Sequence, residues 1–218
     1  MKKLLSITLL IASLASCRQN KTEVKYQVNE NVSKALWKGS ATDHFHIGSF
    51  KVTGNLNADL QGNVTGGNFT IPVLSIQDFD LTDPIRQTLL ADLKSANFFN
   101  VAIHPNAEFK ITKIDTCIKA DTNAIAGANY LVTGNFSMVG QTHTLSFPAK
   151  ISYIADSLRA EAKFNLDRTK WGMKIYSDPK QKLFIYPDVN IHLDVRAKKQ
   201  ARISPLAILA PNAIPVQQ

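Results

Sequence analysis

The sequence predicts an all-β chain, a sandwich or a barrel, interrupted by one short helix. Three observations carry that expectation. From residue 24 onward, apolar and polar residues alternate with period two in one segment after another; Gly, Asn and Asp punctuate the segments; and a single stretch, Asp83 to Phe99, switches to helical spacing. Alternation buries one face of a strand and wets the other. Several such strands at short intervals can hide their apolar faces only against a second sheet or by closing on themselves.

The first residues stand apart from this pattern. Lys2 and Lys3 form a positive head, and Leu4 to Leu14 an apolar run broken only by Ser6, Thr8 and Ser13. That run is shorter than the about 20 residues that cross a bilayer, so residues 1–16 are expected to be a secretory signal peptide and not a span. Leu14-Ala15-Ser16-Cys17 resembles the bacterial lipobox. The resemblance implies lipid attachment at Cys17, a lipidated tether over 17–24, and a lipoprotein of a bacterial cell envelope that faces the periplasm. Arg18, not Asp, follows the cysteine, so the enterobacterial inner-membrane retention signal is missing and the outer membrane is expected. Each buried acyl CH₂ contributes about 0.8 kcal/mol, so two or more chains anchor stably. From Cys17 to Trp37 the chain reaches at most ~70 Å when extended, which favours local capture or hand-over above free diffusion.

The strands follow in order. Phe69, Ile71 and Val73 share a face, then Phe109, Ile111 and Lys113, then Tyr130, Val132, Gly134, Phe136 and Met138. Leu145, Phe147, Ala149, Ile151 and Tyr153 make the next face, Ala160, Ala162, Phe164 and Leu166 another, and Val189, Ile191, Leu193 and Val195 the last. Turn signals at Gly62-Asn63, Gly66-Gly67, Val139-Gly140-Gln141 and Asp178-Pro179 separate them. In the helical stretch Ile85, Leu89, Leu90 and Leu93 recur at helix spacing, with Thr82 or Asp83 as N-cap and Pro84 at the first helical position. Such a helix is expected to cover one end of a barrel or to pack on the sheet. Pro205, Pro211 and Pro215 oppose regular structure in residues 201–218, which are expected to form an irregular C-terminal tail.

Composition excludes several functions. The formal charge is +8, two lower once Lys2 and Lys3 leave, and the basic residues are scattered apart from Arg196, Lys198, Lys199 and Arg202. Export also argues against nucleic acid as a partner, so the surplus is expected to be a solvated basic surface near a membrane. With Cys17 lipidated, Cys117 has no intramolecular partner. His44 and His46 fall on one strand face as a partial metal site, but no nearby cluster completes it and Asp43 alternates to the other face, so no metal is expected. Nucleophile-elbow, Walker and dinucleotide motifs are all missing, and the chain is not expected to be an enzyme.

Five blocks of the sequence resemble the YceI-like family. Trp37-Lys38-Gly39 with His46-Ile47-Gly48-Ser49-Phe50 is similar to its opening strands, and Gly67-Asn68-Phe69-Thr70-Ile71 with Leu74-Ser75-Ile76 to the next. Leu93-Lys94-Ser95-Ala96-Asn97-Phe98-Phe99-Asn100-Val101 followed by His104-Pro105-Asn106-Ala107-Glu108-Phe109 is the most specific block, with Asn97 and Asn100 where the family often has Asp. Val132-Thr133-Gly134-Asn135-Phe136 with Gly140-Gln141-Thr142 and Phe147-Pro148 resembles later strands, and Leu166-Asp167-Arg168-Thr169-Lys170-Trp171-Gly172 resembles the family's D-R-T-x-W/F-G corner, with a short loop after it. The resemblance implies an eight-stranded antiparallel lipocalin-like barrel over residues 25–200. It also implies a bound isoprenoid lipid, a polyprenyl phosphate or a quinone tail, and no other cofactor.

An eight-stranded barrel has interior room for one slim ligand. Six of the eleven Phe residues, Phe50, Phe69, Phe109, Phe136, Phe147 and Phe164, fall on inward registers. With Trp37, Ile71, Leu89, Leu93, Phe98 and Trp171 they are the candidate cavity lining, where apolar surface leaving water gains about 25 cal/mol per Å². The same side chains serve a filled core equally well, and on the residues alone a plain core is the ordinary reading; the resemblance reverses it. His46 and Arg168 are the candidate polar groups at the mouth. Arg168 either meets an anionic head group with its fork of donors or pairs internally with Asp167 or another carboxylate.

Overall fold

The computed structural model describes residues 23–116 and 124–201. The expected signal peptide, Cys17, Cys117 and the tail beyond 201 lie outside the described residues. Eleven β segments, all paired antiparallel, account for most of the rest: β1 (Val24–Val28), β2 (Lys34–Ser40), β3 (Phe45–Lys51), β4 (Thr53–Ala58), β5 (Val64–Pro72), β6 (Gln77–Asp78), β7 (Asn106–Thr116), β8 (Tyr130–Met138), β9 (Gln141–Ile154), β10 (Ser157–Asp167) and β11 (Asp188–Lys199).

They close into an eight-stranded barrel. β1 and β2 are one strand laid along β11, with Tyr26 opposite Lys199 and, after an insertion, Lys34 opposite Asp194. Ser33 stitches that insertion: its hydroxyl donates to the Arg196 carbonyl at 3.2 Å and accepts the Arg196 amide at 3.0 Å. β3 and β4 are likewise one strand broken at Val52, pairing with β2 and β1 respectively. β5, β7, β8, β9, β10 and β11 complete the ring, and the β1–β11 pairing closes it.

The seam is incomplete at one end. β4 pairs with β5, but β3 pairs with the short β6 through Gly48 and Asp78. The gap between β3 and β5 is covered by a turn at Val73–Ser75, by β6 and by the helix α1 (Ile85–Lys94). Leu90 of α1 docks on Trp37 and Ile76, with Leu93 against the same cluster. The helix is shorter than the sequence pattern suggests. Pro84, not Thr82 or Asp83, occupies the N-cap position, and no side chain caps it. Asp83 instead binds Arg86 Nε at 3.0 Å and Gln87 Nε2 at 3.2 Å. Ser95 ends the helix by its extended backbone, leaving Phe98 and Phe99 in the turn beyond.

Inward faces follow the alternation along β8 to β11. β7 departs from it: a bulge between Ile111 and Lys113 leaves Thr112 unpaired, so Lys113 turns outward and Ile114 packs on the core in its place. The β8–β9 hairpin turns at Val139 (φ 50°) and Gly140 (φ 73°), two successive left-handed residues, as the right-handed twist of the flanking strands requires.

The two ends of the barrel differ. Where β1 begins and β11 finishes, Tyr26, Val28, Ala58, Val64, Leu158 and Ala197 pack into a closed floor. At the other end, under α1 and the loop 172–187, the interior is hollow.

Candidate ligand-binding cavity

The hollow has a volume of about 440 Å³, within the range of small-molecule sites. Its wall is built from small and aromatic side chains placed by the strand period. Ala35 and Trp37 come from β2, Phe69 and Ile71 from β5, Ala107, Phe109 and Ile111 from β7, Phe147, Ala149 and Ile151 from β9, and Ala160, Ala162 and Phe164 from β10.

A belt of four rings crosses the wall. Phe69 stacks on Phe109 with centroids 6.5 Å apart, Phe109 meets Phe147 at 5.5 Å, and Phe147 stacks on Phe164 at 4.4 Å. Phe109 and Phe147 stand on strands separated by β8, and Gly134 lets them meet. A Cβ at Gly134 would lie 2.5 Å from the Phe109 ring and 2.5 Å from the Lys110 carbonyl. A Gly134 substitution therefore breaks the belt whether or not the barrel is filled.

Eleven of the twelve apolar candidates border the cavity: Trp37, Phe50, Phe69, Ile71, Leu89, Leu93, Phe98, Phe109, Phe136, Phe147 and Phe164. Trp171 does not. It lies behind Phe136, ring to ring at 5.3 Å, with His143 at 5.2 Å, and its indole N–H donates to the Phe136 carbonyl at 3.0 Å. The reason is local: residues 168–171 form a 3₁₀ turn after β10, which takes Trp171 off the strand register. The sequence pattern missed Ile76 behind α1 and Met173, Tyr176, Leu183 and Ile185 of the loop 172–187, all of which border the cavity. That loop has no periodicity to reveal an inward face.

Both polar candidates stand at the mouth, in different roles. Arg168 is 3% exposed and pairs with no carboxylate among the described residues. Its Nε donates to the Tyr186 carbonyl at 3.4 Å, one terminal nitrogen to the Ile185 carbonyl at 2.9 Å and the other to the Met173 carbonyl. Its cationic carbon lies 5.9 Å from the Phe98 ring centre. Burial lowers its pKa, and the Asp167 charge works the other way. The alternative of an ion pair with Asp167 does not form, because Asp167 caps the 3₁₀ turn, accepting from the Thr169 amide at 3.0 Å and hydroxyl at 2.6 Å. Arg168 is thus the tie that folds the loop 172–187 over the cavity.

His46 lies on the rim, its Nδ1 2.8 Å from Asp80 Oδ2. Asp80 also accepts the Ile47 amide at 2.7 Å. Burial works against its ionisation, but the Ile47 amide, His46 and the neighbouring Asp78 carboxyl group outweigh that and hold its carboxyl below the usual range. His44 stands edge-on to His46 at 5.2 Å but is tied to Asp43 at 2.6 Å.

The closed ring, apolar interior and half-covered mouth define a lipocalin-like barrel built around a cavity. Within that class the chain belongs to the YceI-like family, whose domain model matches residues 26–197. Solved structures agree on the fold. The chain is similar to Burkholderia cenocepacia BcnA, 18% identical with a TM-score of 0.62 over 78% of this chain and 99% of that one. It is also similar to a polyisoprenoid binding domain from Saccharophagus degradans implicated in plant cell wall breakdown, 10% identical with a TM-score of 0.56 over 80% and 98%. A Campylobacter jejuni YCEI protein is 16% identical with a TM-score of 0.53 over 75% and 85%. No curated protein matches the chain.

Proposed function

We propose that this chain is an envelope lipoprotein, anchored through Cys17, that holds a long apolar isoprenoid lipid in its barrel for sequestration or local transfer. The ligand class is a polyprenyl phosphate or a quinone tail. The observation that carries this reading is the continuous apolar cavity of about 440 Å³ in a YceI-like barrel. The polyisoprenoid-binding neighbour from Saccharophagus degradans supports the ligand class. A slim flexible chain gains by leaving water at about 25 cal/mol per Å², and aromatic walls ask for no hydrogen bonds in return. The outer membrane, periplasmic side, fits Arg18 after Cys17.

The full chain purified in detergent, extracted with solvent and examined by mass spectrometry, is expected to release an isoprenoid lipid. The stripped protein is expected to take up added polyprenyl phosphate or quinone in a one-to-one ratio. Finding neither would overturn the reading. Metabolic labelling with a fatty-acid analogue tests the anchor, with label expected on the natural chain and none on Cys17→Ala.

A further inference from the structure

The sequence offers His44 and His46 as half of a metal site with nothing nearby to finish it. Strand pairing supplies the rest from more than thirty residues away. β6 runs antiparallel to β3 with Gly48 opposite Asp78, and the pairing continues as the Phe79 amide donates to the Ile47 carbonyl at 2.9 Å. That register sets Asp80 across from His46, with Asp78 two residues along on the same face. The ligand atoms of His46, Asp78 and Asp80 lie within 4.8 Å of one another.

Asp78 is the telling member. It is 5% exposed; one carboxylate oxygen accepts the Leu81 amide at 2.9 Å, and the other, Oδ2, is buried without a hydrogen-bond partner. A buried carboxylate oxygen left unpaired beside a second carboxylate is costly, and buried charges are normally paired or bound to a metal. Arg86 on the adjoining helix feels the Asp78 charge from a distance but makes its ion pair with Asp83, at 3.0 Å, and leaves Oδ2 unbonded. Two hydrogen bonds fix Asp80 in place, from the Ile47 amide to one oxygen and with His46 Nδ1 at the other.

We propose that His46, Asp78 and Asp80 form a divalent transition-metal site, best suited to Zn²⁺, at the rim of the cavity. One imidazole nitrogen and two carboxylate oxygens suit zinc better than magnesium or calcium, which favour oxygen alone. Zinc–ligand bonds of about 2.0–2.2 Å require the three atoms to draw together slightly and His46 to exchange its hydrogen bond to Asp80 for the metal. The three ligands leave a fourth position for water. The site stands independently of the lipid reading, because its residues and its test involve no lipid.

The experiment is calorimetric titration of the chelator-stripped full chain in detergent with Zn²⁺, with metal content measured after dialysis. One retained Zn²⁺ per chain and a rise in melting temperature are expected. Asp78→Asn and His46→Gln should each weaken binding by at least about tenfold, since even second-shell changes at metal sites cost that much. Asp43→Asn, which removes only the exposed partner of His44, should leave binding unchanged. If Asp78→Asn fails to fold, His46→Gln on the more open rim carries the comparison. Absence of saturable one-to-one uptake overturns the proposal, as does uptake indifferent to both variants. A higher melting temperature of Asp78→Asn with no zinc response in the natural chain also overturns it, and identifies a carboxylate pair that shares a proton.

Discussion

The two ends of this barrel are made from the same strands yet do opposite things. At the floor, Tyr26, Val28, Leu158 and their neighbours meet across the axis, and Tyr26 packs edge-on to Tyr153 with centroids 5.8 Å apart. At the mouth, β3 leaves β5 and the covering elements stand off from the axis, so side chains of the same apolar character border a space. The difference lies in what pairs with what. At the floor β1 pairs with both β4 and β11, and β10 turns tightly back on β9 and along β11 to the strand ends, whereas the seam filled by β6, α1 and the loop 172–187 holds the mouth apart. Stability therefore belongs chiefly to the floor and capacity to the mouth.

Four substitutions test that division. The largest effect is expected at Leu158, 1% exposed in the floor. Leu158→Ala should cost about 2–5 kcal/mol in denaturant unfolding, while Leu93→Ala at the mouth should cost under about 2 kcal/mol and act mainly on lipid uptake. Equal losses would erase the contrast. Next comes Arg168→Met, which strips donors from the carbonyls of Met173, Ile185 and Tyr186. A loss of about 1–3 kcal/mol is expected, with faster proteolytic cleavage within 172–187; an unchanged cleavage pattern would show that the loop does not depend on this tie. Ala160→Phe should project into the hollow and at least halve the lipid held per chain, with stability within about 1 kcal/mol of the natural protein. A severe loss of stability instead would show that the space is already filled.

The smallest effect is on the outer surface. Arg159 binds Asp194 through Nε at 2.9 Å and a terminal nitrogen at 2.8 Å. Hydrogen bonds from Arg159 hold the Asp194 carboxyl below its ordinary value, with burial opposing and Arg196 assisting. A depressed folded pKa stabilises the protein above the unfolded value of about 3.9 and ceases to do so as pH falls through the folded one. Asp194→Asn should therefore flatten the acid limb of stability against pH, by no more than about 1 kcal/mol. An acid limb identical to that of the natural chain would show the pair contributes nothing.

Much of this was legible in the sequence because a strand reports its own face. Period two placed the rings of Phe69, Phe109, Phe136, Phe147 and Phe164 inside before any partner strand was known, and the barrel's closure followed from the family resemblance. The failures share one cause, a departure from regular register. One extra residue at Thr112 reverses Lys113; a 3₁₀ turn carries Trp171 off the wall; the loop 172–187 has no period. The His46, Asp78 and Asp80 cluster was invisible for another reason. Its members meet only through the β3–β6 pairing, and a two-residue strand leaves almost no signature in a sequence.

The place where β1 begins also sets which way the molecule faces. Val24 already lies in the floor, so with Cys17 acylated as proposed, the tether is only residues 17–23, about 25 Å at full stretch. β10 runs 11 residues from floor to mouth, roughly 36 Å along the strand and somewhat less along the axis because barrel strands tilt. A leash of that length only matches the height of the barrel wall, and α1 and the loop 172–187 add to that height at the mouth. The anchored floor would then lie nearer the bilayer than the opening, which would look chiefly into the compartment beyond.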